Sequence, residues 1–142
     1  MLAWPVWVAA LWWGSLTTLA FAVVPLLFAT LPSAALAGNM AARLFGVHAL
    51  ATAVFGLLLL LATRLDARPE LAARAQSASA YVLAGALLAL LVEFGVAPRI
   101  VARDNLALWH GLGTGMIALQ WLCASVTFWR MAGPQARPRV QV

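Results

Sequence analysis

Ionisable side chains in this chain are confined to the gaps between four long apolar runs. Residues 2–31 contain none at all, and three further runs cover residues 44–63, 75–97 and 106–129, carrying His48, Glu93 and His110 respectively as isolated carboxylate and imidazole exceptions near their ends. A hydrocarbon core about 30 Å thick is crossed by roughly 20 helical residues, and each run meets that length. Only helices and closed barrels satisfy their backbone polar groups in lipid, and unbroken runs of this length select the helix. The chain is therefore expected to be all-α, an integral membrane four-helix bundle with spans at 4–28, 44–63, 75–97 and 106–129.

Composition agrees. Of the 142 residues, 65% are hydrophobic and 9% charged, against about 25% charged in a soluble domain. Four spans and short loops fill residues 1–130 as a single domain, leaving 131–142 as a tail expected to be disordered. The net charge of +5 comes from nine Arg and no Lys. These Arg residues flank the apolar runs, so anchoring and orientation explain them, and nucleic acid is not an expected partner. Abundant Ala, Leu and Arg without Lys fit a GC-rich bacterial genome and hence an inner (cytoplasmic) membrane. Cys123 is the single cysteine and reads as a small packing residue. The first run is too long for a signal-peptide core and has no preceding basic residue, so it is expected to remain as an uncleaved span.

Along the chain, Pro25 and Pro98 sit near the ends of spans one and three. Each removes a backbone hydrogen bond, so a kink is expected at both. Trp4 and Trp7 suit an interfacial belt, while Trp12 and Trp13 lie deeper. Residues 29–42 read as a loop or a short interfacial helix capped by Ser33. Residues 64–76 read as the loop between spans two and three, and Asn105 as the cap of span four. Arg64, Arg68, Arg74, Arg130, Arg137 and Arg139 fall on one side, Arg43, Arg99 and Arg103 on the other. That asymmetry predicts a multi-pass protein with both termini cytoplasmic.

An internal repeat is visible. Phe21-Ala22-Val23-Val24-Pro25 matches Phe94-Gly95-Val96-Ala97-Pro98, and His48-Ala49-Leu50-Ala51-Thr52 matches His110-Gly111-Leu112-Gly113-Thr114. Each half then forms one helical hairpin, the two related as a parallel repeat of the kind some transporters use.

The polar residues within the runs are the candidate site. Counted from Arg43 and Asp104, His48 and His110 fall roughly 7–9 Å inside the outer helix ends, in one layer. Thr52 and Thr114 lie one turn deeper on the same faces. A Thr hydroxyl that accepts one imidazole N–H leaves the other nitrogen free as a ligand, so His48 and His110 are candidate metal ligands for haem iron or copper. The competing readings are a pair of hydrogen-bonded structural histidines and a proton-handling site. Glu93 is the only acid inside a span. An ionised carboxylate in hydrocarbon is expensive, so it is expected to face other helices and to contact His48, His110 or Arg43. Gly46 and Gly56 in span two, and Gly111-x-x-x-Gly115 in span four, offer small faces for close helix approach. Thr17, Thr18 and Gln120 sit at mid-depth. Nothing in the chain pairs a nucleophile with a base or forms a phosphate loop, so no positive case for an enzyme arises.

Taken together, Trp13-Gly14-Ser15, Val24-Pro25-Leu26-Leu27-Phe28-Ala29-Thr30-Leu31-Pro32-Ser33, Ala37-Gly38, Leu44-Phe45, Val92-Glu93, Ala97-Pro98-Arg99 with Arg103, and Leu108-Trp109-His110-Gly111 resemble the transmembrane protein 205-like family. The resemblance covers almost the whole membrane part. It differs at Trp109, where Leu is typical, and at Gly113-Thr114, where a Ser is common. It implies a four-span domain of unknown function. Through a looser likeness to copper-resistance D-type membrane proteins it also implies metal handling.

The expected function is thus a small membrane protein with a polar His/Glu site near its non-cytoplasmic face, serving metal, haem or proton-coupled transport. The alternative is a non-catalytic accessory or structural subunit of a larger membrane complex, or a homo-oligomer, in contact with the lipid bilayer.

Overall fold

A computed structural model describes residues 3–133. They form four helices long and apolar enough to cross a membrane: α1 (Trp4–Thr30), α2 (Ala34–Leu65), α3 (Pro69–Val101) and α4 (Leu106–Ala132). No strand occurs among the described residues. The connections are short, so successive helices run antiparallel. α3 packs most extensively on α4 and on α2, and α1 closes the ring against α4 and α2.

The helices are longer than the apolar runs. α2 begins at Ala34, not near residue 44. Ser33 caps it as expected, its side chain accepting from the Leu36 N–H, but the segment after it continues without a break into the span. Nothing in residues 34–43 stops a helix, because alanine and leucine dominate and Gly38 alone is a weak breaker. The expected 64–76 loop shrinks to residues 66–68, because Pro69 is preorganised for a first helical turn and Glu70 in that turn suits the helix dipole. In this turn Arg68 donates from Nε and Nη2 to Asp66 at 3.0 Å each, holding the Asp66 carboxyl below the usual carboxylate range. At 32 and 33 residues, α2 and α3 reach about 48–50 Å, so they tilt or extend beyond the hydrocarbon. Asn105 stands at the α4 cap in a left-handed conformation (φ 38°), and its backbone carbonyl, not its side chain, receives the Trp109 N–H. α4 runs to Ala132 with Met131 fully buried, so the first two residues of the expected tail are helical, and its residues 134–142 lie outside the described residues.

Neither expected proline kink is a simple break. Leu19–Val23 and Val92–Val96 are π-helical turns, and Pro25 and Pro98 each follow two residues after the turn ends. A proline lacks an N–H and its ring crowds the carbonyl four residues back. A wider turn ahead of it moves that carbonyl aside, so the chain stays helical. The two matching pentapeptides thus adopt the same local structure in the same register.

The bundle interior is built from small residues. Ala9, Ala37, Ala49, Ala62, Ala75, Ala78, Ala89 and Ala124 are buried, while Val47, Phe94 and Trp129 are 69%, 72% and 82% exposed. A soluble monomer does not carry apolar exposure on this scale. In lipid, by contrast, helices associate through close backbone approach, and large side chains lose nothing by facing acyl chains. Trp12 is the largest of the few big side chains that are fully buried, with Leu16, Val82 and Met131, and its ring lies against Gly85 of α3. Trp13 stacks on Phe128 at 5.3 Å, while Trp4 and Trp7 are exposed. Arg74 and Arg130 tie α3 to the end of α4, donating to the Gly133 carbonyl at 2.7 Å and the Ser77 carbonyl at 2.6 Å.

Candidate functional site

A chain of hydrogen-bonded side chains runs from the buried Gln120 of α4 through α2 to the exposed Ser15 of α1. Gln120 Nε2 donates to Thr52 Oγ1 at 3.3 Å, Thr52 Oγ1 meets His48 Nδ1 at 3.3 Å, and His48 Nε2 meets Ser15 Oγ at 3.1 Å. Ser15 Oγ in turn donates to the Trp12 carbonyl at 3.1 Å. Each hydroxyl has a single proton. Since Ser15 spends its own on Trp12, His48 Nε2 is the donor to Ser15, and Nδ1 accepts from Thr52. All donors then point the same way, and both His48 nitrogens and both hydroxyls are paired. Helical spacing creates this arrangement: His48 and Thr52 are one turn apart on α2, so both present to the same side. His48, Thr52 and Gln120 are buried.

His110 has a different environment. Its ring makes no hydrogen bond among the described residues, and Thr114 donates to the His110 backbone carbonyl at 2.9 Å instead of to the ring. The Thr52–Gln120 bond sets the level of α2 against α4. Counting back four residues to His48 and ten to His110 puts His110 about 9 Å nearer the helix start. The His-x-x-x-Thr repeat therefore has one member in the interior chain and one on a cavity wall. The rings do not face each other, and both His48 nitrogens are already occupied. Among the described residues no three His, Cys, Asp or Glu side chains gather as a metal-holding group. A bis-imidazole haem or copper site would need His48 to give up one of its two partners.

Glu93 lies within the second π turn, partly buried. It forms no hydrogen bond or ion pair with His48, His110 or Arg43, the partners expected for it. Its carboxylate rests flat on Gly46 of α2, so close that a methyl group on Gly46 would sit 3.0 Å from both oxygens. The absence of a side chain at Gly46 is what lets the carboxylate turn inward. Gly46 is two residues before His48, so Glu93 and the polar chain occupy adjacent levels.

Of the remaining expected packing glycines, Gly56 lies opposite Ala86 and Val82, whereas Gly111 and Gly115 have open space around them. They line a shallow outward groove on α4, with Ala107 and Leu119 at its ends. The tight interior glycine of α4 is Gly113, against Val96. One turn from the polar chain, all four helices surround a cavity of about 310 Å³ walled by Phe21, Phe28, Phe45 and Trp121, with His110 and Thr114 also at its surface. Trp121 is fixed there by a 2.9 Å bond from Nε1 to Thr17 Oγ1 and an edge-to-face contact with Phe21.

Sequence reasoning placed Thr17 and Gln120 at mid-depth without assigning partners, and gave Ser15 no role. The signal was present: each is a hydrogen-bonding residue in an otherwise apolar run, and such residues face other helices. No curated protein and no solved structure matches the chain. The family described as Domain of unknown function (DUF4149) matches residues 7–108, which takes in the polar residues of α1 and α2, both π turns and Glu93, and the chain belongs to that family.

Proposed function

We propose that this is a proton-coupled membrane protein in which Glu93 is the titrating group and the Ser15–His48–Thr52–Gln120 chain is the adjoining proton-accepting network. One observation carries the reading: an acidic side chain inside a membrane helix, in a π turn, without a hydrogen-bonding partner among the described residues. Intramembrane acids without a structural partner mark ion or proton pathways, and π turns recur at functional sites. The neighbouring chain can take up a proton with one hydroxyl rotation: when His48 becomes a donor at both nitrogens, Thr52 turns its own proton away and accepts. Protein reconstituted in liposomes should show proton flux under an imposed pH gradient. Glu93→Gln preserves shape and removes the titrating group, so flux should fall to that of empty liposomes with the fold retained. Unchanged flux in Glu93→Gln would sink the proposal.

The same reading places the protein in a bacterial inner membrane with both termini cytoplasmic. The arginines at 64, 68, 74 and 130 against those at 43, 99 and 103 support that orientation. Ala67, exposed in the turn between α2 and α3, is the position to probe. In a Cys123→Ala background, Ala67→Cys should resist an impermeant thiol reagent in intact cells and react after lysis. Labelling from outside reverses the topology. The likeness to transmembrane protein 205-like chains belongs to this proposal and supplies no reaction of its own. The accessory-subunit or homo-oligomer reading has its own support, the open groove at Gly111 and Gly115 on the outward face of α4, where a second helix could seat.

A further inference from the structure

We infer that the aromatic-walled cavity binds a quinone-class molecule from the bilayer, a flat ring bearing a carbonyl acceptor on an apolar tail. The argument is independent of proton flux and starts from the donor inventory at the cavity wall. Trp121 has spent its N–H on Thr17, and Thr114 has spent its hydroxyl proton on the His110 carbonyl. The His110 imidazole is left as the side chain at the wall whose ring nitrogens have no partner among the described residues. A single imidazole N–H donor in an apolar setting selects a ligand with an uncharged acceptor. A saturated acyl chain would leave the imidazole unused. An anionic headgroup would want a cation at the wall, yet none of Arg43, Arg99 and Arg103 at this end of the bundle lines the cavity, and Arg99 is stacked 4.1 Å over Trp109.

The walls point to the same ligand shape. Phe21 and Phe28 of α1, Phe45 of α2 and Trp121 of α4 bring aromatic side chains to the wall from three helices, and aromatic pairs favour offset or edge contact with a flat partner. The volume of about 310 Å³ lies at the lower end of the range for small-molecule sites, roughly 300–1,000 Å³, and suits a ring with the start of a tail. Phe21, Phe28, His110 and Thr114 line the cavity and are also exposed, which puts its mouth on the lipid-facing side between α1 and α4. A ligand dissolved in the membrane enters there without crossing water, and its tail remains in the bilayer.

The test is binding of decylubiquinone to the purified protein in nanodiscs, with n-decanol as a competitor that has the tail and no ring. Saturable binding at one per chain is expected, and decanol should not compete. His110→Leu should weaken it about tenfold, the scale of one lost hydrogen bond, while His110→Gln, which keeps a donor, should retain most of it. Ala42→Phe, which fills the cavity from α2, should abolish binding, with Ala118→Phe as the second filler if the first elutes as aggregate. Three results overturn the inference: non-saturable uptake, equal competition by decanol, or an affinity unchanged in both His110→Leu and a correctly folded cavity-filling variant.

Discussion

Gly85→Leu is expected to prevent assembly of the bundle. Gly85 faces the six-membered ring of Trp12, and a Cβ at that position would lie 2.7 Å from both Cζ2 and Cη2 and 3.3 Å from the Cys123 Cβ. Those distances are below van der Waals contact, and the ring has nowhere to go, because Trp12 is fully buried with α4 behind it. Overpacking of this kind costs about 1–3 kcal/mol for a small insertion, so Gly85→Ala should be clearly destabilised even after the gain of about 1 kcal/mol in helix propensity. Leucine adds three further carbons where no space exists for one. The readout is the folded fraction in an SDS titration, together with elution on size exclusion. Trp12→Phe removes the two clashing ring atoms, so Gly85→Ala should lose much of its penalty in that background, a coupling that a double-mutant cycle measures directly. Trp12→Phe also removes a buried N–H that finds no partner among the described residues, which offsets part of the lost ring contact. A Gly85→Leu protein that folds normally would mean that Trp12 does not join α1 to α3.

The second large effect is expected for Thr52→Val. The substitution keeps volume and removes the hydroxyl that serves both His48 and Gln120. Two polar groups on different helices are then left unpaired at a depth where water is scarce. A single interhelical hydrogen bond in a membrane is worth about 0.6 kcal/mol on average, but an unsatisfied buried group costs about 1–3 kcal/mol. The loss should therefore be closer to the second scale, roughly 2–4 kcal/mol in the same SDS titration. Thr52→Ser retains the hydroxyl and should recover most of the difference, leaving the smaller deficit of one methyl. An equal loss in the two variants would assign the effect to packing and remove Thr52 from the polar chain.

These two positions differ in how far the sequence exposed them. Thr52 was visible through its spacing from His48, since residues four apart share a helix face whatever the fold. Gly85 was not. A glycine within an apolar run reads the same whether it faces lipid or a tryptophan, and only the neighbouring helix separates the cases. The same limit explains Gly111 and Gly115. Their spacing suggested a helix contact, but Gly113, two residues from each and so on the opposite side of α4, is the one packed against Val96, which leaves the other two facing open space.

What the sequence determined by itself was the solvent and the class of structure. Four apolar runs of spanning length, interrupted only by isolated groups such as His48, Glu93 and His110, match lipid as their solvent, lipid demands internally satisfied backbone, and that demand makes the runs helical. It also marked both prolines and the few polar residues that had to face inward. The tertiary structure alone decided which of those residues meet. Helix ends moved outward because alanine-rich flanks continue a helix past the hydrophobic edge. A π turn ahead of Pro98 carries the Glu93 backbone, and the bare surface of Gly46 receives its carboxylate. The two histidines separated because partner choice depends on the relative height of helices, and the Thr52–Gln120 bond sets that height six residues away from the repeat written in the chain. A repeat in sequence fixes local conformation, as the two π turns show. It does not fix the offset between helices, which is settled by the side chains packed between them.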